Sequence, residues 1–172
     1  MLAPCASLLS NGIYTGIVSS IGTMTMGIYN TIKSIYSHQN PDVIKQIKTL
    51  DIEYKLRLID SILQNQNLLP IKTTKEHINN QSVIFTTVDK SVSNLSRSCT
   101  PLEINLVYLS KSIKDIHQIL TQINQKILYH QTKWFGPWRA LHVTGLMTDL
   151  GIHNLILQNR LDDFMKIFHT YK

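Results

Sequence analysis

The stretch from Thr100 to Trp134 reads TPLEINLVYLSKSIKDIHQILTQINQKILYHQTKW, and it carries the strongest structural signal in the chain. Its large apolar residues recur at alternating steps of four and three, and this heptad pattern places them along one side of a helix that packs against neighbouring helices. The residues of this helix seam are Leu102, Leu106, Leu109, Ile113, Ile116, Leu120, Ile123 and Ile127.

Both ends of the seam helix carry recognisable signals. Thr100 offers a capping hydroxyl, Pro101 suits the first helical position, and Glu103 can bond back to the cap amide. Gly and Pro at 136–137 end the pattern. We therefore expect a helix from about 101 to 135, longer than any other element, within an all-α fold: a helical bundle with one long, heptad-patterned, coiled-coil-like helix.

Other segments also show helical spacing. After an Asn40-Pro41 start, residues 43–66 are apolar over a wide arc, which predicts one helix at the centre of the bundle. A third helix is expected over 74–97; a break before Pro101 is favoured, and one long helix kinked at that proline is the alternative. The tail predicts two helices, over 137–148 and 149–169.

The first 32 residues contain no charged side chain. Small residues cover one side of this segment, and an apolar stripe follows the other. Three interpretations remain open: a buried core helix, a helix that lies on a membrane, or a membrane span. Residues 1–38 are accordingly separated from a helical bundle over 39–172. The candidate membrane-contact residues are Ile13, Ile17, Ile21, Met24, Ile28 and Ile32.

The charge of the chain limits its partners. It carries a net charge of +6, but only 16% of its residues are charged, and its 17 basic residues contain no run of three. A basic protein is attracted to anionic surfaces, so an anionic membrane surface is a candidate partner. Nucleic acid is disfavoured, because a dedicated nucleic-acid arm concentrates its basic residues. Two cysteines provide no disulfide framework, which favours a cytoplasmic location.

Motifs for chemistry are missing from the sequence. Its seven histidines are scattered, and it contains no phosphate-binding loop, no nucleophile elbow and no repeated carboxylate pair of the di-iron type. We therefore expect a protein that is not an enzyme, with no catalytic, cofactor-binding or metal residues and no cofactor. The aromatic residues at 134, 135 and 138 are expected to close one end of the bundle, and a membrane interface is the alternative.

Three classes of function remain. The first is a non-enzymatic helical scaffold, adaptor or structural assembly protein that binds a protein partner or itself, because heptad helices with weakly charged faces mainly provide contact surface. The second is a membrane-active or membrane-anchored protein, peripheral to the cytosolic face of a membrane through its N-terminal helix. The third is a basic nucleic-acid-binding protein.

Overall fold

The computed structural model describes residues 5–38, 40–64, 101–132 and 141–170, with side chains described from residue 15 to residue 169 of these ranges. Within them the chain forms five α-helices and no strand, which confirms the all-α prediction. The helices are α1 (Cys5–Ser37), α2 (Pro41–Thr49), α3 (Ile52–Gln64), α4 (Pro101–Gln131) and α5 (Thr144–Thr170).

Helix α4 packs along α1 on one side and along α5 on the other. The Ser34 hydroxyl donates to Oδ1 of Asn124 at 3.1 Å, and the Gln131 amide donates to the carbonyl of His38 at 3.5 Å. Residue numbers rise together along these contacts, so α1 and α4 run parallel. Parallel helices that are neighbours require a long connection between them, and α2 and α3 form part of it.

Helix α5 runs antiparallel to α4. The guanidinium of Arg160 lies 4.8 Å from the ring centre of Tyr108, and Nδ1 of His153 lies 3.8 Å from Oδ2 of Asp115. Between these two contacts the residue number rises by seven along α4 and falls by seven along α5. The heptad period therefore governs this pair of helices as well.

The remaining side of the bundle is formed by α2 and α3. Tyr29 of α1 donates to the carbonyl of Glu53 at 3.3 Å, and the ammonium of Lys48 lies 5.5 Å from the ring centre of Tyr36. Tyr29 comes before Tyr36 in α1, but its partner Glu53 comes after Lys48, the partner of Tyr36. The segment of α2 and α3 therefore runs antiparallel to α1. Helix α3 also contacts α5. The neighbours around the bundle are thus α1, α4, α5 and α3.

One hydrophobic core joins these helices. Seven of the eight seam residues on α4 are buried, and Leu102, near the start of the helix, is half-buried against the core. Large apolar side chains of every helix belong to the same core, which buries apolar surface that holds the bundle together. They include Ile21, Ile28, Ile32, Ile35, Val43, Ile47, Ile52, Leu56, Ile59, Leu63, Leu150, Leu157, Leu161, Phe164 and Phe168.

The structure corrects several helix boundaries. The longest described helix is α1, with 33 residues, because α4 ends at Gln131 and has 31. The expected helix over 43–66 is two helices, and α4 rather than this segment occupies the central position. Within the described part of the tail, the boundary expected between 148 and 149 is absent, and one helix, α5, runs from Thr144 to Thr170. Burial of its inner face against α4 outweighs the cost of about 1 kcal/mol for each glycine within it.

The start of α2 follows its sequence signal. The side chain of Asn40 accepts from the amide of Val43 at 3.2 Å, and Pro41 occupies the first turn. The expectations for 74–97, for the cap at Thr100, for the break before Pro101 and for the aromatic residues at 134–138 lie outside the described residues.

Two glycines of α1 give a matched test of its packing. A Cβ atom at Gly27 would lie 2.8 Å from Cε1 of His117, whereas nothing lies within 4 Å of one at Gly22. Gly22→Ala is expected to raise the free energy of unfolding by about 1 kcal/mol through helix propensity. Gly27→Ala should fall short of that gain because it displaces the imidazole, and adding His117→Ala should recover the difference. Equal urea stabilities of the two alanine variants would contradict the close approach.

Candidate interaction surface

The inner face of α5 is held by apolar contacts that recur along the whole helix. Its buried residues follow steps of three and four against α4. The side chains of Phe164 and Phe168 stack, with ring centres 6.0 Å apart. This packing turns one face of α5 inward and fixes which residues must face outward.

A partly buried polar contact joins α5 to the connection between α2 and α3. The ammonium of Lys55 donates to the carbonyl of Leu50 at 2.8 Å and to Oδ1 of Asn154 at 3.1 Å, while the amide of Asn154 donates to the same carbonyl at 3.0 Å. Burial lowers the pKa of Lys55, and the nearby carboxylate of Asp51 partly opposes this effect.

This contact lies at the point where the helix expected over 43–66 is divided. Asp51 has a φ of 52°, in the left-handed region, which aspartate tolerates better than most residues. The break frees the carbonyl of Leu50 from the helix ladder, and Lys55 and Asn154 satisfy it. Asn154 lies 104 residues further along the chain, so no local pattern predicts the break.

The outer face of α5 carries large apolar side chains. Ile152 is 54% exposed, Leu155 is 62% exposed and Ile156 is 38% exposed. Their spacing of three and four residues puts them on one side of the helix, opposite the core. On the edge of α4 that faces α5, Ile104 and Tyr108 are each 38% exposed. We call these five residues the α4–α5 outer surface, and Arg160 of α5, which stacks on Tyr108 of α4, lies between the two helices.

Such a surface is informative because scattered single apolar residues are normal on proteins, whereas contiguous apolar patches mark contacts with other molecules. It lies on two long antiparallel helices rather than on loops, so its side chains keep a fixed spacing. The aromatic ring of Tyr108 with Arg160 stacked on it adds the residue types that contribute most to protein interfaces. The arrangement is suited to binding the apolar face of another helix.

This surface is not apparent from the sequence pattern. The apolar residues of the tail follow a single packing stripe, from Leu146 to Phe168. Ile152, Leu155 and Ile156 fall outside that stripe. Large apolar residues outside the packing stripe are the one feature of the sequence that pointed to this surface. Its meaning depends on the fact that α5 is one helix packed on α4 by its other side.

The candidate membrane-contact stripe of α1 occupies a different position. Ile21, Ile28 and Ile32 are buried, and Ile17 and Met24 are half-buried against the core; the side chain of Ile13 is outside the described residues. In this fold the first three belong to the hydrophobic core, so a bilayer could reach them only if α1 left the bundle, and contact with lipid stays a prediction. Among the described helices, none combines the length and hydropathy needed to cross a membrane.

A polar groove lies between α1 and α3. It has a volume of about 460 Å³ and is lined by Tyr29, Arg57, Asp60, Ser61 and Gln64. Burial, and then the charge of Asp60, raises the pKa of Tyr29, and burial raises the pKa of Asp60. The described residues of the lining include one carboxyl group and no imidazole or thiol, so among them there is no paired acid and base. Within the described ranges, no three His, Cys, Asp or Glu residues are grouped to hold a metal ion.

The described residues form an all-α helical bundle whose last two helices carry several outward-facing apolar residues. The chain belongs to the family of the Uncharacterized protein L717 of Acanthamoeba polyphaga mimivirus. It is 39% identical to that protein over 170 residues, which are 97% of this chain and 81% of the relative. No family model matches the chain. No solved structure matches it either.

Proposed function

We propose that this protein is a non-enzymatic helical scaffold, adaptor or structural assembly protein that binds another protein through the α4–α5 outer surface. The observation that carries the proposal is the exposure of Ile152, Leu155 and Ile156 on a helix whose opposite face is fully packed. Leaving three large apolar residues in water lowers solubility, and a protein partner that covers them removes this cost.

The rest of the described structure supports the same proposal. The bundle is held by long heptad contacts, and the described residues that line its polar groove include no paired acid and base. Several polar side chains that are half-buried or buried, such as Lys55 and Asn154, hold helices together. These polar groups stabilise the fold, and the apolar side chains face outward. Such a protein is suited to binding other proteins rather than to catalysis.

Membrane association is the alternative, and a different observation favours it. The outward face of α1 between residues 15 and 32 is uncharged and includes Met26, which is 62% exposed. If this face meets an anionic bilayer, nearby basic residues of the bundle are attracted to the headgroups by about 1 kcal/mol each. The protein would then be cytoplasmic and peripheral to the cytosolic face. Nucleic-acid binding, the third candidate, requires an affinity that falls steeply with salt.

Site-specific photo-crosslinking separates these functions. A photoreactive residue is placed at Leu155, at Met26 or, as a control, at Gln118, an exposed polar residue of α4. In cells that naturally make the protein, position 155 is expected to form a discrete protein adduct that mass spectrometry identifies, while position 118 forms none. Failure of position 155 to crosslink to any protein would overturn the proposal. Crosslinking of position 26 to phospholipid would support the membrane alternative.

A further inference from the structure

One stripe of α5 combines opposite charges with apolar residues. Asp149, Ile152, Ile156 and Arg160 follow one another at steps of three, four and four. Because an α-helix has 3.6 residues per turn, the eleven residues from Asp149 to Arg160 make about three turns, and all four side chains lie on the same side. The stripe therefore reads acidic, apolar, apolar, basic along the helix.

A stripe of this kind is complementary to itself when it is reversed. If two copies of α5 lie antiparallel about a twofold axis near residue 154, Ile152 faces Ile156 of the second copy. The same alignment places Asp149 opposite Arg160 of the second copy, and twofold symmetry repeats both contacts. Leu155 lies beside the apolar centre, and along α5 the alignment places no two Asp, Lys or Arg residues of like charge opposite each other.

Both charged ends of the stripe are available for such a contact. Asp149 is exposed, and no ion pair involves Asp149 or Arg160 among the described residues. The guanidinium of Arg160 rests on the ring of Tyr108, 4.8 Å from its centre, which positions it without neutralising it. Near the other end, Gly145 has open space around it, so no bulky side chain there holds the second helix away.

We propose that the partner of the α4–α5 outer surface is a second copy of this chain, bound through antiparallel α5 helices with Asp149 paired to Arg160 across the twofold axis. This inference rests on the proposed function and specifies its partner. The apolar centre provides most of the association, while the charge pattern selects the antiparallel alignment over the parallel one, in which Asp149 would face Asp149.

Charge reversal tests this pairing on the full chain. The association state is measured by sedimentation equilibrium over a concentration series for wild type, Asp149→Arg, Arg160→Asp and the combined double variant. Each single variant creates like-charge pairs at both symmetric contacts, so its dissociation constant is expected to rise at least about tenfold. The double variant restores opposite charges and should return close to the wild-type value. Lys114→Asp, a charge reversal on the exposed side of α4, serves as the control and should leave association unchanged.

The outcomes are distinct. Thermal unfolding of each variant shows that it is folded, which matters for Arg160→Asp because it also removes the contact with Tyr108. A wild-type protein that stays monomeric, single variants that dimerise normally, or a folded double variant that is not restored would overturn the inference. If the wild type is monomeric while position 155 crosslinks to a different protein, the second-copy inference fails and the proposed function stands. If position 155 contacts no protein at all, the proposed function itself fails.

Discussion

Ile116→Asp is expected to abolish the folded state. Ile116 lies in the middle of the α4 seam and is fully buried. A carboxylate there would lose its hydration without gaining a partner, and even after taking up a proton it would leave an unpaired polar group in the core while removing the apolar contacts of Ile116; this combined cost is comparable to the roughly 5–15 kcal/mol by which domains are usually stable. The milder change Ile116→Ala should lower the free energy of unfolding by about 2–5 kcal/mol, as large-to-small core changes do. Urea unfolding followed by circular dichroism measures both effects.

The control for this prediction lies two residues away on the same helix. Gln118 is exposed, so Gln118→Asp introduces the same charge into α4 without burying it, and surface changes of this kind usually stay within about 0.5 kcal/mol. A cooperative urea transition for Ile116→Asp that matches the one for Gln118→Asp would show that the seam does not form the core.

The second large effect concerns α1. Ile28 is fully buried whereas Met26, two residues earlier, is 62% exposed. Ile28→Asp should therefore unfold the protein, and Met26→Asp should leave its urea midpoint nearly unchanged, because only the first buries a charge. The pair of variants distinguishes an N-terminal helix that belongs to the core from one that is a detachable membrane contact.

Flotation with anionic vesicles completes this test. If α1 serves chiefly as a membrane contact through its apolar stripe, Ile28→Asp stays folded and loses vesicle binding, which contradicts the packing of α1 on α4. If the outward face of α1 meets lipid instead, Met26→Asp stays folded and loses vesicle binding. A Met26→Asp variant that binds vesicles as wild type does would count against contact through that face.

Local patterns predicted a large part of this fold. The heptad spacing from Leu102 to Ile127 predicted the seam helix, and seven of its eight residues are buried. The Asn40-Pro41 signal marked the start of α2, where the asparagine side chain caps the amide of Val43. These features could be predicted from the sequence because helix periodicity and capping depend on residues within a few positions of one another.

Contacts between distant residues decided the rest. At the break between α2 and α3, Asn154 donates to the carbonyl of Leu50 from 104 residues away. The parallel pairing of α1 with α4 likewise involves contacts about 90 residues apart, such as Ser34 with Asn124. Sequence periodicity shows that a face of a helix is apolar but not which neighbour covers it.

The helical character of the protein, the position of its seam helix and the apolar side of that helix follow from the sequence alone, because hydrogen bonding within a helix and amphipathic spacing are local properties. Tertiary packing was needed to establish that the stripe of α1 faces inward and that Ile152, Leu155 and Ile156 of α5 face outward. The α1 stripe and the outward residues of α5 are both apolar. Which of them is buried is decided only when the helices pack against one another. The candidate surface is therefore a property of the assembled bundle rather than of any single segment.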